Sequence, residues 1–371
     1  PYILPNSGLC YLASALINNG HNVVYLDCLK NKISYVSWRN FLLKGGFDLI
    51  GIQMYSYAYD SVRKMFEIAK EVLPFVINVA GGPHANAIPA QTLEDNPAID
   101  YVIHGEGEKA FPLLAGAMEN NTLDSLPLIP NIAWRANGHT QINSRQFIDN
   151  LDEISQPAWN LMDPRTYPIL SHGLLNRAHP IAPVFATRGC PYNCVFCSSK
   201  VNMGSKIRMR TPKRIVDEID LLVKEYGVKE IHFEDDNFTF YKNFASEVCQ
   251  GIIDRNIKVH WACPNGVRLD SLDVGLLKLM ERSGCYSFAL GIESGSDRVL
   301  NLMKKSVGTG IYREKIRLIK DNTRIRMTGF FIFGFPGETE EDIVLSEKFI
   351  MGEPLQRIAV GPFIPLPGTQ I

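Results

Sequence analysis

The run Arg188-Gly189-Cys190-Pro191-Tyr192-Asn193-Cys194-Val195-Phe196-Cys197 constrains this chain more than any other stretch. It holds three of the eight cysteines, spaced four and three positions apart. Each can supply a thiolate, and three thiolates are one short of the four that close a [4Fe–4S] cluster. An iron without a protein ligand stays open to a substrate or cofactor. Pro191 and Asn193 favour a turn, and Gly189 lets backbone wrap closely around an inorganic cube. The run follows an apolar, strand-like segment, Pro183-Val184-Phe185-Ala186-Thr187. The candidate ligands therefore lie on the loop leaving the C-terminal end of a strand, where β/α barrels place their chemistry. The alternative is a zinc knuckle or a set of buried thiols. Zinc asks for a fourth Cys or His, and the nearest downstream histidine is His232.

Six strand-like segments follow from residue 181 on, near 183–187, 229–234, 258–263, 286–291, 325–333 and 357–363. Helical patterns near 212–226, 241–255, 272–283, 310–321 and 339–351 fill the gaps, which predicts a barrel short of the usual eight units. The strand ends carry the informative residues. Glu234-Asp235-Asp236 closes the second strand, and three adjacent acids are costly to bury unless a cation binds them. Asp236 or Asn237 can instead cap the next helix. Arg268 follows the third strand and offers a bidentate fork for a carboxylate, or a plain surface salt bridge. Glu293 and Ser294 end the fourth strand, and Gly334 opens the turn after the fifth, with Thr339 placed to cap a helix.

The N-terminal third also alternates helix and strand, with strands expected at 22–27, 47–53, 75–80 and 101–104. That order predicts a parallel, doubly wound, Rossmann-like sheet with ligands at its carboxyl ends. Gly81-Gly82-Pro83-His84 and Gly105-Glu106-Gly107-Glu108 lie at those ends, where missing side chains let a large flat ligand reach the backbone. No GxGxxG follows a first strand, and the charges of Glu106 and Glu108 oppose a pyrophosphate. Prolines break residues 120–180 into a connector, with a short hairpin expected around Asn137-Gly138.

With 21% charged residues and a net charge of −1, a general nucleic-acid or anionic-membrane surface has no support. The basic run Lys206-Ile207-Arg208-Met209-Arg210 reads as a solvated loop entering a helix. Cys10, Cys28, Cys249, Cys263 and Cys285 are scattered and read as small buried residues, not a disulfide framework. Without a signal peptide or long apolar run, a cytoplasmic location is expected.

CxxxCxxC with an aromatic residue before the last cysteine resembles the radical S-adenosylmethionine (SAM) superfamily. The resemblance implies a [4Fe–4S] cluster on Cys190, Cys194 and Cys197 in an open (β/α)6 barrel, with Phe196 near the adenine of SAM. It implies that SAM chelates the open iron and is cleaved reductively to a 5′-deoxyadenosyl radical. It gives Glu234, Asp235 and Asp236 the role of the family's amine-binding Gly-Gly-Glu. Arg268 then faces the carboxylate of SAM, Glu293 and Ser294 its ribose or methionyl part, and Gly334 its adenine.

Four N-terminal signals, in order, resemble the cobalamin-binding domain fused in front of such barrels. They are the helix opening with Leu12, the loop Met54-Tyr55-Ser56-Tyr57, Gly81-Gly82-Pro83-His84, and Gly105-Glu106-Gly107-Glu108. The implied division is a cobalamin domain at 1–135, a linker at 136–180 and the barrel at 181–371. A fragment is expected, lacking a first strand and a C-terminal part. Domains that ligate cobalt through histidine carry DxHxxG, whereas here the run is Asp27-Cys28-Leu29-Lys30-Asn31-Lys32. Leucine cannot ligate cobalt, so the lower face is expected to be open, water-bound or approached by the Tyr55–Tyr59 loop. His84 is expected on the nucleotide tail or a helix cap.

The implied activity is a cobalamin-dependent radical SAM methyltransferase acting on an unactivated carbon. Its partners would be a small-molecule, lipid or natural-product substrate and an electron donor such as flavodoxin or ferredoxin. The alternatives are cyclisation, ring contraction or oxidation with the same cofactors, or a radical SAM enzyme whose cobalamin-like domain is vestigial. A non-enzymatic iron–sulfur electron carrier is a different class, and it needs neither an open iron nor the acidic run. The second cluster of methylthiotransferases needs three N-terminal cysteines, and only Cys10 and Cys28 are present there.

Overall fold

The computed structural model describes residues 3–169 and 176–371. The first sheet runs in the spatial order β1 (Leu49–Gln53), β2 (Ile77–Gly81), β3 (Tyr101–Ile103), β4 (Ile132–Ala136), β5 (His139–Ile142). Helices α1 (Ser7–Asn18), α2 (Tyr35–Lys44), α3 (Tyr59–Val72), α4 (Pro83–Ala87), α5 (Pro89–Glu94) and α6 (Gly107–Glu119) accompany it. β1, β2 and β3 are parallel, and Gln53 pairs with Gly81, so the chain leaves both strands at one level. Met54 N–H donates to Gly81 O at 2.7 Å, and His84 N–H donates to Met54 O at 3.0 Å.

The hairpin forms as expected. Asn137 and Gly138 hold φ of +52° and +78°, the positive values that a two-residue type I′ turn requires. Its first strand pairs antiparallel with β3, Tyr101 opposite Trp134 and Ile103 opposite Ile132. The hairpin therefore extends the first sheet and is not free connector. The strand expected at 22–27 does not form. The segment makes no ladder pairing among the described residues, and Val24 is 64% exposed. Strand backbone needs a neighbour for its N–H and C=O groups, and β1 is the edge of its sheet.

The second sheet contains β6 (Ile181–Val184), β9 (Glu230–Phe233), β10 (His260–Cys263), β11 (Cys285–Glu293), β12 (Arg326–Phe333) and β13 (Arg357–Pro362). These six strands stand in sequence order and are all parallel, an open β/α barrel. A separate antiparallel ribbon pairs β7 (Thr187–Arg188) with β8 (Arg208–Met209). The helices are α7 (Ser199–Met203), α8 (Pro212–Tyr226), α9 (Lys242–Asp254), α10 (Val274–Arg282), α11 (Asp297–Leu302), α12 (Thr309–Asn322) and α13 (Glu340–Gly352). Local signals set several bounds. Asp273 caps α10, Gly227 closes α8 in the left-handed region, and Thr339 with Asp342 forms a capping box on α13. Phe233, Phe238, Trp261 and Phe288 are fully buried at the centre of the main core. Among the described residues no helix is long and apolar enough to cross a membrane.

Candidate active site

The three cysteines sit on a long excursion, residues 189–207, whose neck is the β7–β8 ribbon. Gly189 has φ +100°, and a Cβ there would stand 2.2 Å from Lys206 O, so only glycine fits. Cys190 N–H donates to Gly204 O at 3.1 Å, and Val195 N–H to Met303 O at 3.1 Å. Val195 is buried with Val299, Met303 and Phe335, the residue after Gly334, and Phe196 packs on the margin of that cluster. The Cys190 and Cys194 thiols are partly buried and Cys197 is exposed. Burial pushes the Cys190 thiol up, and the charges of Asp236 and Cys194 add to it. Cys197 reaches the surface as a residue, yet the protein packed around its thiol, with the charges of Asp236, Cys194 and Cys190, pushes it to about 11. Thiolates so crowded need a cation, which a metal cluster supplies as it displaces their protons. Among the described residues no three His, Cys, Asp or Glu side chains converge as a single-ion site. Three thiols on one glycine-cradled loop at a barrel strand end fit a three-cysteine cluster.

The acids at the end of β9 have different surroundings. Asp235 is buried, and its two oxygens accept from Ala186 N–H at 3.1 Å and from Thr187 N–H. That commits it to the backbone leading into the cysteine loop and takes it off the list of amine ligands. Asp236 accepts from Ser199 Oγ at 2.5 Å, within the same loop, and Glu234 accepts from Asn265 Nδ2 at 3.0 Å. Neither Asp236 nor Asn237 caps the following helix, whose N-cap is Tyr241. The Arg268 fork is already engaged, with Nε on both Asp270 oxygens at 3.0 and 2.9 Å and Nη2 on Ser306 Oγ at 2.6 Å. Its guanidinium lies 3.3 Å from the Tyr192 ring centre, so it braces the cysteine loop.

Ser294 is buried, hydrogen-bonded with Ser346 Oγ at 3.1 Å, and it accepts from Ser296 N–H; these bonds fix α13 and α11 rather than a ligand. Glu293 holds φ +68° and pairs with Lys305. Gly334 has φ +76° with open space where a Cβ would be, and its N–H donates to Glu338 Oε2 at 2.6 Å. Lys305 was missed from sequence, because Lys304-Lys305-Ser306 looks like any solvated turn.

In the N-terminal half, Tyr55 and Tyr57 stack with ring centres 5.3 Å apart, and Ser56 Oγ lies 3.0 Å from His84 Nδ1. Burial lowers the His84 pKa, which keeps it neutral. Burial raises the Tyr55 pKa, and Tyr57 and the Glu234 carboxylate add to the shift. Met54 is fully buried in the core beside Phe66 and Ala85, so its side chain contacts no ligand. Several glycines are filled by this chain itself. A Cβ on Gly82 would meet Gln53 and Met54, one on Gly105 would meet Arg145, and one on Gly107 would lie 2.8 Å from Leu12. Gly81 alone has its nearest neighbour at ordinary distance, Ile103 O at 3.7 Å.

Glu106 and Glu108 are not free for a ligand either. Glu106 pairs with Arg188 at 3.1 Å and Arg208 at 2.7 Å, and Glu108 with Arg188 at 2.5 Å. Arg210 pairs with Glu218 at 2.5 Å and donates to Tyr11 Oη at 3.1 Å. The basic run at 206–210 is thus not a plain solvated loop: Arg208 and Arg210 are buried in ion pairs, and of its three cations only Lys206 is solvated. Of the scattered cysteines, Cys10, Cys249, Cys263 and Cys285 are buried as expected, and Cys28 is only partly so.

The two halves meet beside the cysteines. Asn86 on α4 donates from Nδ2 to Asn202 Oδ1 on α7 at 3.0 Å, and Arg145 donates to Val201 O at 2.7 Å. A glycine-bearing sheet end thereby faces a three-thiol loop at a barrel end, an arrangement that suits an enzyme holding cofactors on both sides of the contact. Residues 184–350 match the radical SAM superfamily, and residues 1–115 match the B12 binding domain. An uncharacterized methyltransferase of Pyrococcus horikoshii is 31% identical over 99% of this chain and 77% of its own length. The cytidylyl-2-hydroxyethylphosphonate methyltransferase of Streptomyces wedmorensis is 29% identical over 92% of this chain and 72% of its own. In fold, the chain matches the radical SAM methyltransferase TsrM of Kitasatospora setae with a TM-score of 0.81 and 18% identity, over 100% of this chain and 73% of that one. The chain belongs to the radical SAM enzymes that carry an N-terminal cobalamin-binding domain. Its cofactors are a [4Fe–4S] cluster, SAM and cobalamin.

Proposed function

We propose that this enzyme moves a methyl group to an unactivated carbon of a small molecule by way of a substrate radical. The observation that carries the reading is the contact of α4, at the end of the N-terminal sheet, with α7, just after Cys197. In this family the bound cofactors supply reductive cleavage of SAM to a 5′-deoxyadenosyl radical and a methyl group carried on cobalt. The chain's own residues hold and orient. Cys190, Cys194 and Cys197 hold the cluster, Phe196 and Gly334 flank the adenine, and Glu234 and Asp236 take the amino group of SAM. Tyr55, Ser56, Tyr57, Gly81 and His84 line the cobalamin side. The electron comes from a small carrier such as flavodoxin or ferredoxin.

Anaerobic enzyme loaded with cobalamin and given methyl-labelled SAM tests this. Label on cobalamin together with 5′-deoxyadenosine supports methyl transfer through a radical. Deoxyadenosine with no labelled cobalamin favours ring closure, the activity named for relatives such as the anaerobic magnesium-protoporphyrin IX monomethyl ester cyclase of Rubrivivax gelatinosus, 29% identical over 91% of this chain.

A further inference from the structure

The neck of the cysteine loop contains an electrostatic problem that the N-terminal domain solves. Arg188 and Arg208 are direct partners across the β7–β8 ladder. Like charges facing each other on a ribbon repel, and here both are buried. Left alone, this pair would drive apart the two ends of the excursion that holds Cys190, Cys194 and Cys197.

Glu106 sits against both cations. Its Oε1 accepts from Arg188 Nη1 at 3.1 Å and from Arg208 Nη1 at 2.8 Å, and its Oε2 accepts from Arg208 Nη1 at 2.7 Å. Ile148 N–H adds a bond to Oε2 at 2.6 Å. Glu108, two residues on, accepts from Arg188 Nη2 at 2.5 Å. Two carboxylates at the start of α6 thus neutralise two guanidiniums at the neck. Arg208 also reaches into the excursion, donating from Nη2 to Met203 O at 2.8 Å. Met203 ends α7, and the next residue, Gly204, accepts from Cys190 N–H.

The geometry points to Glu106 and Glu108 as positioning residues of the iron–sulfur site, supplied by the cobalamin-binding domain and acting through Arg188 and Arg208. They touch neither substrate nor cofactor. They keep the neck closed, and so keep Cys190 in register with Cys194 and Cys197. This assignment rests on the functional reading above.

The full chain, reconstituted anaerobically with iron and sulfide, tests it through the rate at which a ferrous chelator strips its iron, alongside circular dichroism for folding. Glu106→Gln should load iron and lose it about tenfold faster or more, the usual scale for an outer-shell partner of a metal site. Adding Arg208→Met to Glu106→Gln removes one of the repelling cations and should slow the release again. Lys206→Ala, on the same loop in an exposed ion pair, should release iron as the unsubstituted chain does. Unchanged release in folded Glu106→Gln overturns the assignment, as does a double variant that releases faster than the single one. Should Glu106→Gln not fold, Glu108→Gln decides: faster release supports the clamp and unchanged release overturns it. A native chain that takes up no cluster would sink the functional reading as well, whereas unchanged release sinks the clamp alone.

Discussion

Lys305 Nζ stands 3.1 Å from Oε1 of Glu293, with both side chains largely out of water. Burial works against the ammonium, but Glu293, with Tyr312 and Cys194 nearby, raises its pKa above the ordinary lysine value. A raised lysine contributes stability that is fully present below its unfolded pKa and lost only as pH climbs through the folded one, so the pair is intact across neutral pH. Lys305→Met leaves a buried carboxylate unpaired at a residue already held at positive φ. The expected loss is about 3 kcal/mol, read from the urea midpoint at neutral pH. A loss no greater than that of an exposed pair such as Lys213–Asp217 would rule this out.

Asp235 gives a pH signature of the opposite kind. Burial raises its pKa from 3.8 to about 7, against the backbone N–H groups of Ala186 and Thr187 that favour the charged form. Between those two values the native chain holds a proton that the unfolded chain has lost. Its contribution therefore falls as pH rises through that window, by at most about 1.4 kcal/mol per pH unit. Asp235→Asn cannot titrate. The stability difference between wild type and variant should vary with pH from about 4 to about 7 and level off above. A difference that stays constant across the window would show that Asp235 is ionised throughout.

The same residue shows where sequence reading stops. The run Glu234-Asp235-Asp236 was legible as costly acids at a strand end, and the barrel strands and the Thr339 cap were legible because their signals are local. Which of the three acids turns inward depends on the backbone of Ala186 and Thr187, 48 to 49 positions earlier. The Arg188–Glu106 bond spans 82 positions, and nothing near either residue announces it. The Gly-Glu-Gly-Glu stretch was recognisable as a site, but its carboxylates point to partners in the other half of the chain. The 22–27 segment has strand composition, and composition cannot supply a pairing neighbour.

On the proposed reading, with Asp235 committed to the backbone, Glu234 and Asp236 would take the amino group of SAM. The pair Glu234→Gln with Asp236→Asn should weaken SAM binding by about 1.5–3 kcal/mol, the scale of a lost charge-assisted hydrogen bond. Iron content should be unchanged, because neither acid is a cluster ligand. Equilibrium binding of SAM to the reconstituted variant measures this. Wild-type affinity in the double variant would remove both acids from the amine site.

The last expectation concerns cobalt. Leu29 occupies the position where histidine-ligating domains carry their ligand, and it lies 59% exposed in the turn closed by Lys30 N–H on Asp27 Oδ1 at 2.9 Å. His84, the other candidate, is engaged through Nδ1 with Ser56 Oγ and packed against the Tyr59 ring at 4.9 Å. Its buried, neutral ring is held in the wall of the site, and the Ser56 contact fixes its orientation. With leucine at residue 29, cobalamin is expected to bind with no protein nitrogen on its lower face. Without a strong axial donor, bound cobalt(II) would be easier to reduce. Electron paramagnetic resonance of the protein loaded with cob(II)alamin reads this directly, since one axial nitrogen splits each cobalt hyperfine line into three. Unsplit lines are expected in wild type and in His84→Ala alike. Split lines in wild type that become single in His84→Ala would make His84 the ligand, through the Nε2 that its Ser56 contact at Nδ1 leaves open.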